Sequence, residues 1–477
     1  MIIRERRSSN SRNTNTIKKV IPTMTLIKSI SGIRGTIGGA TGTNFTPIDI
    51  VECTAGFGTW IKKRHGDPKV VIGRDGRISG SMVTGLVVNT LLAMGIDVVD
   101  LGLSTTPTVE IAVPIEGAAA GIILTASHNP KQWNALKFLN SAGEFISAAD
   151  GEEIIQYIAD GKLLFAEVDE LGQLTTDDTY IQKHIDQVLE LPYVDTNQIA
   201  AGAFTVVVDC INSTGAISVV PLLEQLGCKV IAIHAEMTGD FAHNPEPRPD
   251  HLLDLSTAVR EHGADLGISV DPDVDRLAFV NEDGSMFGEE YTLVAVADYV
   301  LSKKKGNTVS NLSSTRALAD VTARHGGSYT ASAVGEVNVV NTMKATDAVI
   351  GGEGNGGIIL PDLHYGRDAL VGIAIMLNLL AEKQISIATL RASYPHYEMV
   401  KDKIQLTPAI DIDALLQRLE GLFANEKINT VDGLKIDFED GWVHLRKSNT
   451  EPIIRVYAEA ATVSRAQELA DLLKSEV

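Results

Sequence analysis

Asp271, Asp273 and Asp275 stand at alternate positions of Asp271-Pro272-Asp273-Val274-Asp275-Arg276, directly after the apolar run Leu266 to Val270. Three carboxylates projecting to one side of an extended loop repel one another and can converge on one hard cation. Three protein oxygens leave coordination positions open, as Mg2+ requires when it shares its shell with a phosphate. No twelve-residue loop ending in glutamate follows, so this is not a calcium hand. A solvated acidic turn is the bland alternative. Leu277-Ala278-Phe279-Val280, which reads as a buried strand right behind it, favours the metal.

Thr125-Ala126-Ser127-His128-Asn129-Pro130 follows a second apolar run, Ala118 to Leu124, which reads as a buried parallel strand. Ser127 is thereby delivered to a loop at a sheet's carboxyl edge, where open α/β folds place ligands. Asn129-Pro130 breaks any helix and fixes a turn. No Gly-x-Ser-x-Gly elbow surrounds the serine, so acyl transfer is a poor reading. A Ser-His pair in a turn is, taken alone, more often structural than catalytic. The remaining motifs tip the balance toward catalysis.

Arg446-Lys447-Ser448-Asn449-Thr450-Glu451-Pro452, with Arg455 beyond it, has the composition of a phosphate cradle. Guanidiniums chelate phosphate bidentately, and Ser448, Asn449, Thr450 and loop amides add neutral donors. Gly351-Gly352-Glu353-Gly354-Asn355-Gly356-Gly357 is glycine-rich but lacks a Walker lysine. A carboxylate and an amide on a flexible loop suit sugar hydroxyls better than phosphate. Arg34, in Ser31-Gly32-Ile33-Arg34-Gly35, and Lys137, ten residues past Ser127, add cations to the first unit. For Arg77, in Arg74-Asp75-Gly76-Arg77, surface charge is as good a reading as function.

The elements that must position these residues alternate from Leu26 onward. Val70 to Asp75, Asp97 to Leu101, Thr205 to Asp209, Lys229 to Ile233, Asp265 to Val270, Asn307 to Leu312 and Asp347 to Gly351 read as strands. Met82 to Met94, Ala148 to Ala159, Val219 to Leu226, Tyr291 to Leu301, Ala317 to His325 and Ala369 to Ala381 read as helices. The recurrence points to a duplicated α/β unit without a fixed period. Strand-like Trp442 to Arg446 and Ile453 to Glu459, then an amphipathic helix from Ser464 to Glu476 capped by Ser464, give a small α+β domain. His243 to Pro249 reads as an exposed, proline-rich loop.

At 477 residues the chain is too long for one core. A formal charge of −20 argues against nucleic-acid or anionic-membrane partners, so cations must be focused wherever an anionic substrate binds. Cys53, Cys210 and Cys228 are scattered, odd in number and without metal spacing, which fits a reducing cytoplasm. No apolar run approaches a membrane span. Residues 1–23 are basic and polar and read as a disordered or non-native extension.

Together the four motifs resemble the α-D-phosphohexomutase superfamily, in the family's order, across nearly the whole chain from about Leu26. The resemblance implies three similar α/β domains plus a C-terminal α+β domain around a central active-site cleft, with boundaries at 24–172, 173–282, 283–392 and 393–477. It implies that Ser127 carries a phosphoryl group and that Mg2+ is held by Asp271, Asp273 and Asp275, with Ser127 as the further ligand. It also implies that Glu353 and Asn355 read sugar hydroxyls and that Arg446, Ser448, Asn449, Thr450 and Arg455 grip the substrate's phosphate. Arg34, His128, Lys137 and Arg276 are the candidates to orient or protonate the reacting oxygens. The implied partner is a phosphosugar, with a hexose 1,6-bisphosphate as intermediate and activator and a monomer or homodimer as the working form.

The sequence departs from the family at several places. Many members have Ser and His where this loop has Asn355 and Gly357, so a histidine proposed for proton transfer is absent. Pro272 and Val274 stand where many have glycine. The Glu353 to Gly357 form is similar to phosphoglucosamine and phosphomannomutase-like members. Glucosamine phosphate is the expected substrate, with phosphomannomutase or phosphoglucomutase activity as the alternative. A phosphosugar phosphatase and a nonenzymatic sensor are more remote.

Overall fold

The computed structural model describes residues 24–29, 32–66, 68–407, 411–448 and 453–476. The extension at 1–23 lies outside the described residues, as do Ser31, Asn449 and Thr450 of the motifs.

One strand unit is used three times. Lys69–Arg74, Asp97–Leu103 and Ala120–Leu124 run parallel in the spatial order second, first, third, and Trp133–Leu139 lies antiparallel beside the third. Thr205–Asp209, Lys229–Ile233, Leu266–Val270 and Leu277–Asn281 repeat that order and those directions. So do Asn307–Asn311, Tyr329–Ser332, Ala348–Glu353 and Gly357–Ile359. In each copy the turn from the third strand into the antiparallel fourth carries a motif: the Ser127 loop, the aspartate loop, then the glycine-rich loop. Duplication therefore puts three different chemistries at equivalent places. The third strands of the first two units are buried along their whole length, which explains their largely apolar character, interrupted in the second by Ser269. The strand before Ser127 is parallel to one neighbour only, since its other neighbour is the antiparallel fourth strand.

The first sheet is larger than the others. Gly32–Thr36 pairs with Trp133–Leu139, Ile27–Ser29 extends that edge, and Leu174–Thr176 closes the opposite one. That sheet thus reaches past residue 172. Helix Ala369–Lys383 is apolar around its whole circumference and buried from Ala369 to Leu380, as a helix enclosed by other elements must be. It shares one core with helices Glu289–Lys303 and Gly215–Gln225, so the second and third units are fused through it.

The C-terminal sheet is antiparallel throughout, in the order Glu398–Gln405, Ile453–Ala460, Gly441–Lys447, Leu434–Asp437, Lys427–Asn429. Helix Val463–Lys474 packs its buried face of Ala466, Leu469, Ala470 and Leu473 into that sheet's core. Its cap is Thr462, not the expected Ser464. Thr462 has the extended backbone that a cap needs, and its hydroxyl accepts from the Arg465 amide. The domain docks on the third unit through Lys435 Nζ to the Leu312 carbonyl (2.8 Å) and the Arg316 amide to Glu459 (2.9 Å).

Candidate functional site

Ser127 sits on a left-handed backbone, φ 48°, a conformation that costs an L-residue on the order of 1–3 kcal/mol and persists only where its surroundings enforce it. The enforcing group is Arg77. Its guanidinium donates to the carbonyls of Ser127, Asn129 (2.7 Å), Pro130 (2.9 Å) and Trp133 (2.9 Å), while Nε pairs with Asp75 at 2.9 Å. Thr125 links Asp75 back to the Ser127 amide. Surface charge is therefore the wrong reading of Arg77, whose side chain is fully buried. The Asp75 spacing was the available signal, a carboxylate two residues away that a buried arginine could pair with.

The aspartate loop is a tight turn, not the extended segment expected. Val274 is left-handed, φ 62°, and its amide donates back to the Asp271 carbonyl at 3.0 Å. A β-branched residue is a true outlier there, at a position where the resembled family often has glycine. The turn still brings Asp271, Asp273 and Asp275 together, with one carboxylate oxygen from each lying within 4.8 Å of the others. All three are buried. Burial raises the Asp271 carboxyl well above its usual range, and the charges of Asp275 and Asp273 push the same way. Asp273 Oδ1 and Asp275 Oδ1 are buried and accept no hydrogen bond among the described residues. Unsatisfied hard oxygens converging in a buried, mutually repelling trio fit a divalent cation.

Ser127 Oγ donates to Asp271 Oδ2 at 2.6 Å, so the first two motif turns meet directly. Thr106 donates to Asp273 Oδ2 at 2.6 Å and Lys137 Nζ to the same oxygen at 2.7 Å, with Asp275 3.6 Å away. Burial lowers Lys137, but Asp273 and Asp275 outweigh it and raise its pKa, so Nζ carries its charge. Arg276 lies 3.9 Å from both Asp271 and Asp275, and its Nε is buried without a hydrogen-bond partner among the described residues. His128 Nδ1 is 3.4 Å from Ser127 Oγ. Burial, then Arg276, pushes His128 down to about 2, which leaves the ring neutral. Arg34 is the register partner of Ala135, two residues from Lys137, so both cations leave the same sheet face. Burial lowers the Arg34 pKa.

Glu353 is not on a flexible loop. It ends the third strand of its unit, is buried, and pairs in register with Gly357. Its carboxylate accepts from Asn311 (2.9 Å), the Gly335 amide (3.1 Å) and Arg367 (3.0 Å). Asn355, at the turn, accepts from the Gly357 amide at 3.2 Å. Arg367 escaped the sequence reading altogether. It spans Asp275 (2.7 Å), Glu353 and Glu336 (2.9 Å), tying the aspartate loop to the glycine-rich one. Its neighbour Asp368 caps helix Ala369–Lys383. An arginine beside a cap that opens a wholly apolar helix was the one sequence signal for it.

In the cradle, Arg446 and Arg455 are direct register partners across two antiparallel strands. Like charges so placed destabilise a sheet unless an anion compensates them. Asp432 lies 3.8 Å from Arg446, and Arg455 contacts the Tyr457 hydroxyl at 3.5 Å. Ser448 is buried just past the end of the same strand, its amide bonded to the Ile453 carbonyl.

Residues 26–164, 182–284, 288–397 and 403–475 match, in order, the three alpha/beta/alpha domains and the C-terminal domain of phosphoglucomutase/phosphomannomutase. A probable phosphoglucosamine mutase of Methanopyrus kandleri is 35% identical over 92% of this chain and 95% of its own. The phosphoglucomutase/phosphomannomutase of Thermococcus kodakarensis is 34% identical over 92% and 96%. A solved phosphoglucomutase/phosphomannomutase family protein from Burkholderia thailandensis superposes with a TM-score of 0.82 at 25% identity, covering 94% of this chain and 96% of that one. With all four domains in sequence and the duplicated unit carrying its motifs at equivalent turns, the chain belongs to the phosphoglucomutase/phosphomannomutase family and is a phosphohexomutase, an isomerase.

Proposed function

We propose that this enzyme interconverts glucosamine 6-phosphate and glucosamine 1-phosphate through a phosphoryl group carried on Ser127. The observation that carries the reading is the 2.6 Å contact of Ser127 Oγ with Asp271, where a carrier hydroxyl meets a buried aspartate trio. A sugar hydroxyl oxygen attacks the phosphorus on Ser127 and the P–Oγ bond breaks. Net, the hydroxyl's proton ends on Oγ, and the sugar becomes a 1,6-bisphosphate. The bisphosphate turns over and returns its other phosphoryl group to Ser127. Asp271, Asp273 and Asp275 would hold Mg2+, which neutralises charge developing on the transferred group. Charged Lys137 and Arg34 orient the transferred oxygens as donors, and Arg276 Nε, 3.9 Å from Asp271 and Asp275, supplies another donor. Neutral His128 faces Oγ as a hydrogen-bonding group.

Metal dependence should map to the aspartate turn. Chelation should stop turnover, Mg2+ should restore it, and Asp273→Ala should weaken Mg2+ binding in a calorimetric titration. Unchanged affinity in that variant would remove the trio from the mechanism.

Arg446 and Arg455 grip the phosphate that is not reacting. Arg455→Ala should cost roughly 2–4 kcal/mol of transition-state stabilisation, as for charged hydrogen-bonded pairs. The loss should appear equally with 1-phosphate and 6-phosphate substrates. Impairment of only one direction would show that the sheet is not a shared clamp.

Glucosamine as the sugar is supported by the name of the Methanopyrus relative, and the Thermococcus relative supports the glucose/mannose alternative. A C2 ammonium gives Glu353 a charge-assisted partner that hydroxyl sugars lack. Because Arg367 already occupies Glu353 Oε2, the amine must share or displace that contact. Specificity constants for glucosamine 6-phosphate, mannose 6-phosphate and glucose 6-phosphate, measured on one preparation with released phosphate assayed in parallel, test the whole reading. A tenfold preference for mannose, about 1.4 kcal/mol in the wrong direction, would overturn the sugar assignment. Phosphate release in place of isomerisation would replace the mutase with a phosphatase.

A further inference from the structure

Asp209, His234 and His243 form a second cluster in the second unit, apart from the aspartate turn and outside the chemistry described above. Asp209 ends strand Thr205–Asp209 and its carboxylate is fully buried. His234 Nδ1 lies 3.1 Å from Asp209 Oδ1, and His243 Nε2 lies 2.8 Å from Oδ2. Both rings are about one-fifth exposed or less, so one side of the cluster faces solvent. We propose that this Asp-His-His cluster is a binding site for a first-row divalent ion of the Zn2+ type, separate from the Mg2+ trio.

One oxygen of Asp209 and one ring nitrogen of each histidine lie within 4.8 Å of one another, close enough to share one ion. His243 Nδ1 is 2.8 Å from the Asn244 carbonyl oxygen, which can only accept, so the ring proton belongs on Nδ1. Nε2 then faces the Asp209 carboxylate, so either a second ring proton or a metal ion must lie between them. His234 turns Nδ1 toward Asp209, while its Nε2 lies 3.6 Å from the exposed Asp254 carboxylate, beyond hydrogen-bond reach. A ligating histidine whose other nitrogen donates to a carbonyl or carboxylate is the usual second layer of a metal site. A second proton on His243 would also supply the cation. One divalent ion does the same with both rings neutral.

Backbone strain concentrates here as well. Ile211, Asn212 and His234 are all left-handed, with φ of 46°, 52° and 49°. Asn212 fastens the strained segments together, its amide bonding the His234 carbonyl at 2.7 Å and its side chain accepting from the Ala242 amide at 3.0 Å. Two imidazole nitrogens with one carboxylate are borderline-soft donors that select Zn2+ or Co2+ over Mg2+, whereas the all-oxygen trio has the opposite preference.

Such an ion would fasten a seam that matters to the active site. The segment from His234 to His243 lies against the first unit. Gly239, φ 66°, approaches so closely that a Cβ there would fall 2.1 Å from the Gly76 carbonyl oxygen. Phe241 stacks on Arg77, the residue that clamps the Ser127 loop, at 5.1 Å.

The test uses chelator-treated full-length protein held in saturating Mg2+. One further equivalent of Co2+ or Zn2+ should be retained through dialysis, with a tetrahedral Co2+ absorption band. That equivalent should weaken at least tenfold in His234→Ala and in His243→Ala and survive in Asp273→Asn. Zn2+ should raise the unfolding midpoint of wild type and not that of the His234→Ala/His243→Ala double variant. Wild-type protein that retains no equivalent beyond Mg2+ has only a proton clasp at Asp209, and the proposal falls. It falls equally if retention is the same in the double variant.

Discussion

Alanine at position 127 is expected to abolish hexose-phosphate isomerisation, by on the order of 10^4-fold or more, as for loss of a covalent carrier. The fold should survive. Arg77 holds the loop through backbone carbonyls, and the Ser127 amide is bonded to Thr125, so neither anchor uses the lost hydroxyl. Serine and alanine carry the same Cβ penalty at φ 48°, so strain is unchanged. What disappears is the hydrogen bond to Asp271 and the oxygen that would bear phosphorus. Intact-mass measurement should find a phosphate-sized increment on native protein and none on Ser127→Ala. Bound substrate should still be detected by calorimetry, because the cradle at Arg446 and Arg455 is remote in sequence and on another sheet. Native-like turnover in the variant would end the carrier mechanism.

How much of this was legible beforehand depends on the range of the interactions involved. The Ser127 and aspartate turns follow buried third strands, whose largely apolar runs announce both the strand and its end. The repeated α/β unit followed from the same alternation, while the four-domain arrangement came from the family resemblance of the motifs. Local chemistry within a few residues was harder. Ser464 looked like a cap by residue type, but Thr462 holds the extended backbone and takes the role. The aspartate segment read as extended, because nothing in Pro272-Asp273-Val274 announces that a valine would adopt φ 62°. Glu353 looked mobile among glycines, yet Gly351 and Gly352 lie within a strand that carries it into a buried ion pair. Arg367 was the real omission, and Arg77 was left undecided between surface charge and function. Each is defined by acceptors scattered along the chain: carbonyls some fifty residues away for Arg77, and carboxylates at 275, 336 and 353 for Arg367. No short-range pattern encodes that convergence, and a guanidinium's burial is decided by who arrives to meet it.

Arg77 also gives the largest expected loss of stability. Arg77→Ala should destabilise the first domain by about 3–5 kcal/mol, the cost of breaking one partner out of a buried ion pair. Asp75 would be left fully buried without its cation, and the carbonyls of Ser127, Asn129, Pro130 and Trp133 would lose their donor. Lysine should not rescue the site, because one ammonium with three donors cannot span four carbonyls and a carboxylate. The pH dependence identifies the cause. Burial already raises Asp75 in the native protein, and Arg77 opposes that rise. Without the arginine the folded pKa climbs further above its unfolded value. The folded variant then binds a proton more readily than wild type, so its deficit should grow as pH rises through that range and shrink in acid. Trp60 and Trp133 both lie in this domain, so tryptophan fluorescence during denaturant unfolding reports mainly on it. Asp75→Asn added to Arg77→Ala should recover part of the loss, since the amide no longer brings a buried charge. A deficit that stays constant from acid to neutral pH and is untouched by Asp75→Asn would mean that the arginine acts by filling space, and the ion pair would have to be dropped as the source of the loop's rigidity.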